Sequence, residues 1–592
     1  MMTKPIRNLR QFLELLHSRK QLAVVSAPVD PDQELAEIHR RVIAEGGPAL
    51  LFTNVRGSKF PVVTNLFGTP ERVEWAFGER PFEMIARVAE MALEMPPSAG
   101  KIGRLMMEGL HIGLDRNRRG PILENRMQPA KLTELPFTKT WPDDGGAFLT
   151  LPLVLTHSPA DGRANLGMYR MQRFDDATAG MHWQIGKGGG FHDYEAEQRG
   201  EALPVSVFLG GPPALILSAI APLPHGVSEL LLASLILGEK LDVVENPIGP
   251  RELIAEAEFA LVGKVPPRER RPEGPFGDHY GYYSLKHDYP VFHCDAVFHR
   301  KDAIFPATVV GKPRQEDYFI GEYLQKLLKP VYPLAMPAVR ELWSYGETGF
   351  HALAAAVVWE RYGREAMSAA FRILGEGQLS FTKFLIATDT PRDLADFRAL
   401  LEHVLARFHP ETDLYIFSDL SMDTLDYTGP EVNKGSKGVM LGLGEACREL
   451  PREWSGEPPA GTREVAVFCP GCLVLGGPAY KSDDETDGHG GDSFPSLLAK
   501  NKRLLDWPLV VLCDKPGEAV SSTIRFLWTT FTRFEPAADV HSASVEIRRN
   551  HVVHRGPIVI DARMKPWYPG EVEVAPEIAR KVEARWGELF KG

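Results

Sequence analysis

The chain has 592 residues, 44% of them hydrophobic and 24% charged, which are globular proportions in a length that exceeds one core. Its 67 basic against 78 acidic side chains leave a formal charge of −11, which argues against nucleic acid as the main partner. No apolar run approaches the roughly eighteen residues of a membrane span. The opening MMTKPIRNLRQFLELL lacks a signal peptide's apolar centre and cleavage site, and five cysteines make no disulfide framework in so long a chain. The expectation is a cytoplasmic protein of roughly three or four domains.

In chain order, residues 6–17 place Leu9, Phe12, Leu13 and Leu16 on one helical face. GGPALLFTNV and FPVVTNLFG read as buried strands with turn residues between them, so residues 1–125 are expected to form an N-terminal α/β segment. Over residues 126–325, strand-like runs (AFLTLPLVLTHS, PVSVFLGG, PVFHCDAVFHR, AIFPATVVG) surround glycine-rich loops and one apolar helix, HGVSELLLASLILG. That pattern predicts a mostly β domain with a barrel-like or sandwich core. After QEDYFIGEYLQKLLKPVYP, strands and helices alternate over residues 326–570, and a helical tail follows at 571–592.

The 326–570 region repeats itself. KFLIATDTPRDLADFRALLEHVLARFHPETD matches WPLVVLCDKPGEAVSSTIRFLWTTFTRFEPAAD: an apolar strand, Asp389 or Asp514, a proline two residues on, a helix, then RF-x-P-x-x-D. Two such copies imply a sheet of strand–helix units. The segment 448–464 reads as a linker. The segment 481–493 begins like a calcium loop with Asp483, Glu485, Asp487 and Gly488, but Phe494 stands where a bidentate glutamate is required, so a solvated surface loop is expected. Cys469 and Cys472 have CxxC spacing without the second pair of a zinc ribbon, and read as small residues at the end of a buried strand.

Three stretches carry candidate chemistry. In PEGPFGDHYGYY (272–283), Glu273 and Asp278 are fixed in a loop too rich in proline and glycine to be helical, crowded by four aromatic rings. In GRANLGMYRMQRFDDATAGMHWQIGKGGGFHDY (162–194), Arg170 sits among apolar neighbours and needs an anionic partner. There Lys187 adjoins three glycines whose backbone N–H groups suit a phosphate, although the run is not a Walker loop. Asn165, His182 and His192 are donors for a divalent metal, while a flexible turn and satisfied core histidines are the plain alternatives. In APLPHGVSELLLASLILGEKL, Ser228 and Glu229 open an apolar helix, where Glu229 answers the helix dipole or holds a cation.

In that order, NLGMYR, GVSE, PEGPFGDHYGYY and GSKG (435–438) resemble the UbiD family of decarboxylases. The resemblance extends to LRQFLELL, VDPDQELAEI, GPALLF and PVVTNLFGT, and the tail resembles longer members assigned to menaquinone biosynthesis. It implies an α/β (α+β) fold: an N-terminal α/β segment, a split β-barrel cofactor domain and a C-terminal α/β oligomerisation domain. It implies prenylated FMN, supplied by a flavin prenyltransferase, with Mn²⁺ or another divalent cation and often K⁺. Asn165 and Glu229 become metal ligands by resemblance. Met168, Tyr169, Arg170, His182, Trp183, Gln184, Lys187 and Gly188 then surround the cofactor, with Lys437 near it.

There is one departure from the family pattern: Gly186 stands where the third metal-binding histidine is expected, with His192 the nearest substitute. The implied reaction is reversible, non-oxidative decarboxylation of an aromatic or α,β-unsaturated acid, with a role in quinone biosynthesis. Arg170 is expected to bind the substrate carboxylate bidentately and Glu273 to hold Arg170. Asp278 is expected to return the proton, its pKa raised by aromatic surroundings. A flavin-binding oxidoreductase or a catalytically silent scaffold is the competing reading. The presence of Arg170, Glu273 and Asp278 and the lack of a GxGxxG strand–turn–helix weigh against both. A homo-oligomer with contacts through residues 330–570 is expected, the second repeat copy widening the sheet or pairing across a subunit boundary.

Overall fold

The computed structural model describes residues 5–93, 109, 111–183, 188–223, 227–312, 314–481 and 493–590. They form two compact units, residues 1–327 with 570–592, and residues 328–569. The expected N-terminal segment, β domain and C-terminal tail therefore share one unit.

That unit begins with the helix Leu9–Ser18, capped by the Asn8 side chain, which accepts the Gln11 N–H at 3.0 Å. The helix buries Leu9, Phe12, Leu13 and Leu16, the face read from their spacing. A four-stranded sheet follows in the order Leu22–Val25, Ala49–Phe52, Val62–Thr64 and Phe305–Pro306. Its last strand returns from beyond residue 300, which ties the N-terminal segment to the β domain.

The β domain is a ten-stranded sheet whose main path runs Phe148–Leu149, Met171–Arg173, Thr178–Met181, His287–His299, Phe259–Val265, Leu203–Leu209, Leu153–His157, Ala164–Met168. The strands are antiparallel throughout this path. Ala164–Met168 lies at one end of the path and Met171–Arg173 next to the other, yet only Tyr169 and Arg170 separate them in the chain. Two residues span about 10 Å at most from strand to strand, so the sheet must curl until its ends nearly meet. Leu149 and Leu153 make the same short crossing. This is the split-barrel form expected, and its seam holds Tyr169 and Arg170. The interior is apolar and close-packed: Val154, Met171, Ala179, Val207, Phe259, Leu261, Phe292 and Val297 are fully buried and share one cluster.

The second unit contains two sheets of one design. The first runs Val339–Ser344, Leu353–Val358, Phe384–Thr388, Lys434–Gly442, Leu414–Ser421; the second runs Val465–Cys469, Cys472–Gly476, Leu509–Cys513, Ile558–Asp561, Val540–His541. In both, the two inner pairings are parallel and the two outer ones antiparallel. Details repeat as well: Asp389 accepts the Gly444 N–H as Asp514 accepts that of Met564, and Asp413 accepts from His409 as Asp539 does from Glu535.

The repeat is thus a duplicated domain. The second copy does not widen the first sheet, because it carries its own five strands and covers Leu509–Cys513 within them. Cys469 and Cys472 face each other across its first hairpin, both buried and both free.

Candidate active site

Arg170 stands at the seam of the split barrel, where the chain leaves one sheet end for the other. Its Nε and Nη2 donate to the two oxygens of Glu273 at 3.0 and 3.3 Å, a side-on fork. Nη2 also donates to Ser284 Oγ at 3.0 Å, and Nη1 donates to Asp278 Oδ2. The guanidinium lies 4.7 Å over the Phe276 ring. Side-chain exposure is 8% for Arg170, 0% for Glu273 and 9% for Asp278, so the three charges interact with little screening.

The two acids come from one hairpin. Glu273 ends the strand Arg270–Glu273, which pairs with the start of His287–His299, and the connecting loop carries Asp278. The loop is built from specific bonds, not from general packing. The Gly274 N–H donates to Gln172 Oε1 and that of Gly277 to Asp144 Oδ1, both at 2.8 Å. Ser284 closes it, accepting the Phe276 N–H on Oγ at 3.2 Å and giving its own N–H to Phe276 O at 2.8 Å. A tight turn holds Asp278, whose N–H donates to Tyr282 O while Gly281 N–H donates to Asp278 O. Gly281 has φ +83°, and a Cβ on Gly277 would fall 2.1 Å from Trp141 Cδ1, so glycine is required at both positions.

Electrostatics distinguishes the acids from their first reading. Burial pushes the Glu273 carboxyl up, but Arg170 and His182 overcome it and hold it at about 2. Burial likewise pushes Asp278 up, and Arg170 with His279 holds it below the usual carboxylate range. The expectation of a raised Asp278 pKa is therefore corrected: aromatic burial is present, but a guanidinium in contact outweighs it. Burial and Arg170 push the His182 imidazole down, so it is neutral at pH 7 and its Nδ1–H donates to Glu273 Oε2 at 3.0 Å.

A second group of candidates lies along Ala164–Met168. Asn165 Nδ2 donates to Glu229 Oε1 at 3.0 Å, and the other Glu229 oxygen accepts the Leu166 N–H at 3.1 Å. Glu229 opens the helix Glu229–Leu237, and burial raises its carboxyl. Among the described residues, Asn165 Oδ1 is buried without a hydrogen-bond partner, as is Trp183 Nε1. The glycine-rich start of the helix Gly188–Arg199 abuts this pair: a Cβ on Gly188 would fall 2.6 Å from Asn165 Cγ. The Gly189 N–H reaches the hydroxyl of buried Tyr169, whose ring meets Trp183 edge-on, while the half-buried Met168 packs against a separate apolar cluster with Leu166 and Phe208. An unpaired amide oxygen, a carboxylate and a helix N-terminus suit a cation and a phosphate together.

Comparisons with known proteins match this architecture. Family profiles described as the N-terminal, Rift-related and C-terminal domains of 3-octaprenyl-4-hydroxybenzoate carboxy-lyase match residues 13–92, 115–313 and 318–442. The chain belongs to the UbiD family. A Chlamydia pneumoniae protein, named as one subunit of a 4-hydroxybenzoate decarboxylase, is 53% identical over 98% of both chains. Vanillic acid decarboxylase of Sedimentibacter hydroxybenzoicus shares the fold at a TM-score of 0.67 and 24% identity, over 78% of this chain and 97% of its own. An evolved dimeric form of the UbiD-class enzyme HmfF from Pelotomaculum thermopropionicum, solved with prFMN, does so at 0.61 and 23%, over 77% and 97%.

As a UbiD-family carboxy-lyase, the protein brings Arg170, Glu273 and Asp278 together, and separately Asn165, Glu229, Tyr169, Trp183 and Gly188, while Met168 packs in another cluster. His182 joins the first group through Glu273. Gln184, Gly186 and Lys187 lie outside the described residues. Lys437 belongs to the second unit, where burial pushes its ammonium down to about 8 and it donates to Thr382 O at 3.0 Å. His192 Nδ1 faces Thr156 Oγ1 at 2.9 Å, and Thr156 is the cross-strand partner of Asn165. His192 is thus a neighbour of the Asn165–Glu229 pair, but the structure joins it to Thr156.

Five contributors escaped sequence reading. Gln172, Ser284 and Asp144 fix the loop, and His279 donates its N–H to Asp278 Oδ1 at 2.8 Å, with Nδ1 2.7 Å from the same oxygen. Asp317 lies near enough to His279 and Asp278 for their charges to act on it, and burial raises its carboxyl. Only Ser284 and His279 had a signal, their adjacency to the acid stretch.

Proposed function

We propose that this UbiD-family member decarboxylates an aromatic carboxylic acid with prenylated FMN, in the reversible, non-oxidative sense, and that its substrate is a hydroxylated aryl acid of quinone biosynthesis. The observation that carries the reading is Arg170 held side-on by Glu273 with Asp278 on its remaining nitrogen. The 53% identical relative, named for 4-hydroxybenzoate, supports the substrate class.

The residues present fit the cofactor and a metal. Asn165 Oδ1 and Glu229 offer hard oxygen donors suited to Mn²⁺, and the start of Gly188–Arg199 offers N–H groups to a phosphate. Prenylated FMN, made by a flavin prenyltransferase, would supply the electron sink for the carbanion that CO₂ leaves behind. The chain's own work is binding, orientation and proton transfer. A substrate carboxylate engages Arg170 on the Nη1 side, since Glu273 occupies the Nε–Nη2 edge. It thereby competes with Asp278, which moves out of the guanidinium's field. Burial then prevails, Asp278 takes up a proton from solvent as the substrate binds, and it gives this proton to the carbon that lost CO₂. Carboxylation uses the same groups in reverse.

Co-expression with a flavin prenyltransferase tests the reading. Expected are the mass and absorption of prenylated FMN in the purified protein and CO₂ release from 4-hydroxybenzoate or a ring-substituted analogue. Tight binding of unmodified FMN alone with no CO₂ release across such a panel would overturn it. For the metal, Glu229→Gln is expected to lower cofactor retention about tenfold or more, by analogy with lost ligands at metal sites. Retention that survives both this change and chelation would assign the phosphate to the glycine-rich helix start alone.

A homo-oligomer through residues 330–570 also belongs to this reading, supported by Trp359, Tyr362 and Phe371, which are 42–60% exposed. Sedimentation is expected to show at least a dimer, and a monomer at micromolar concentration would remove that part.

A further inference from the structure

The chain leaves the first unit after residue 327 and returns to it at residue 570. The returning segment runs directly along the Asp278 turn. Gly570 O accepts the Tyr283 N–H and Val572 N–H donates to Gly281 O, both at 3.0 Å, and Glu571 forms an antiparallel bridge with Tyr282. Gly281 is thereby bonded on both sides: its N–H goes to Asp278 O and its carbonyl accepts from Val572. The segment is anchored as well. Val572 is 1% exposed and packs with Trp141 and Tyr283, and the Lys312 ammonium meets the Glu571 carboxylate at 2.8 Å.

Beyond it, the helix Pro576–Leu589 docks on the helix Glu34–Ala44. Lys581 reaches Glu34 at 2.9 Å, Arg585 also pairs with Glu34, and Glu583 pairs with Arg41. Val582 and Leu589 are buried beneath these pairs. This whole segment lies outside residues 13–92, 115–313 and 318–442, the stretches that match the family profiles.

We propose that residues 570–589 are a positioning strap for the proton-returning acid, pairing with the outgoing arm of its loop and clamping that arm through the docked helix. The inference rests on the assignment of Asp278 as that acid. The acid end of the loop is tied to the barrel by Gln172 and Asp144. Its outgoing arm is tied by the strap, so the turn is gripped from both directions. A carboxyl that must lie within hydrogen-bond reach of one carbon loses rate steeply when it wanders by an ångström. The strap acts on chemistry through Asp278 and touches neither Arg170 nor the Asn165–Glu229 pair, so it should change turnover and leave binding alone.

Val572→Pro removes the N–H that holds Gly281. In the cofactor-loaded full chain, peptides spanning 277–284 are expected to exchange backbone deuterium about tenfold faster, the factor set by one lost hydrogen bond. Turnover of whichever aryl acid releases CO₂ should fall about tenfold or more with KM and cofactor absorption unchanged. If the proline variant does not fold, the double variant Lys581→Glu with Arg585→Glu decides: it loosens the docked helix at its surface and leaves every backbone group in place. It should likewise speed exchange at 277–284. Unchanged exchange in the folded variant would overturn the strap, whatever the activity. Faster exchange with inactive wild-type enzyme would leave the strap standing and sink the decarboxylase reading instead.

Discussion

Asparagine in place of Asp278 is expected to lower turnover by about 10²–10⁴-fold, the range for removal of a general acid, while cofactor mass and absorption remain those of the wild type. Asparagine keeps the size of the side chain and its oxygen toward Arg170, so the loop, held by Gln172, Asp144 and Ser284, should stand unchanged. What disappears is a group able to carry a proton to carbon. The structure adds a condition. Arg170 and His279 hold Asp278 ionised, against burial, when the guanidinium bonds it directly. Protonation therefore requires the substrate carboxylate to displace Asp278 from Arg170, and kcat should decline as pH rises past the Asp278 pKa of the substrate complex. A D278N enzyme with near-normal turnover, or with a wild-type pH profile, would remove Asp278 from the mechanism.

Glu273→Gln is expected to cost about 3–5 kcal/mol of stability, the range for breaking a buried ion pair on one side. Glu273 is 0% exposed, and its loss leaves Arg170 buried with Asp278 as its remaining carboxylate partner. The linkage has a definite sign. The folded-state pKa of about 2 lies below the reference value of 4.5. The stabilisation is therefore complete above pH 4.5 and is lost as pH falls toward 2. At roughly 1.4 kcal/mol per pKa unit it amounts to about 3 kcal/mol. The variant should show a lower urea midpoint at pH 7 and a shallower loss of stability on acidification. Equal midpoints at pH 7 would mean that Glu273 does not hold the Arg170 fork.

Local pattern determined much of this protein. The spacing of Leu9, Phe12, Leu13 and Leu16 specified a buried helical face, since periodicity alone reports which side of a helix leaves water. The glycines and prolines around Glu273 and Asp278 specified a rigid loop, and the two strand–helix stretches beginning near Lys383 and Trp507 specified a duplication. Tertiary structure decided everything that depends on residues distant in the chain. That the duplicate builds its own sheet followed from the pairing of Val465–Cys469 and Cys472–Gly476, which no single strand announces.

The ionisation of Asp278 was decided by Arg170, 108 positions away, whose contact reverses what the neighbouring aromatic rings would do. The support of its turn was decided by Gly570 and Val572, 292 and 294 positions beyond Asp278. Sequence encodes the propensity of a segment and the chemistry of its side chains. The field at a carboxylate and the partner of a backbone N–H are set by whatever folding brings alongside, and that is a property of three-dimensional contact.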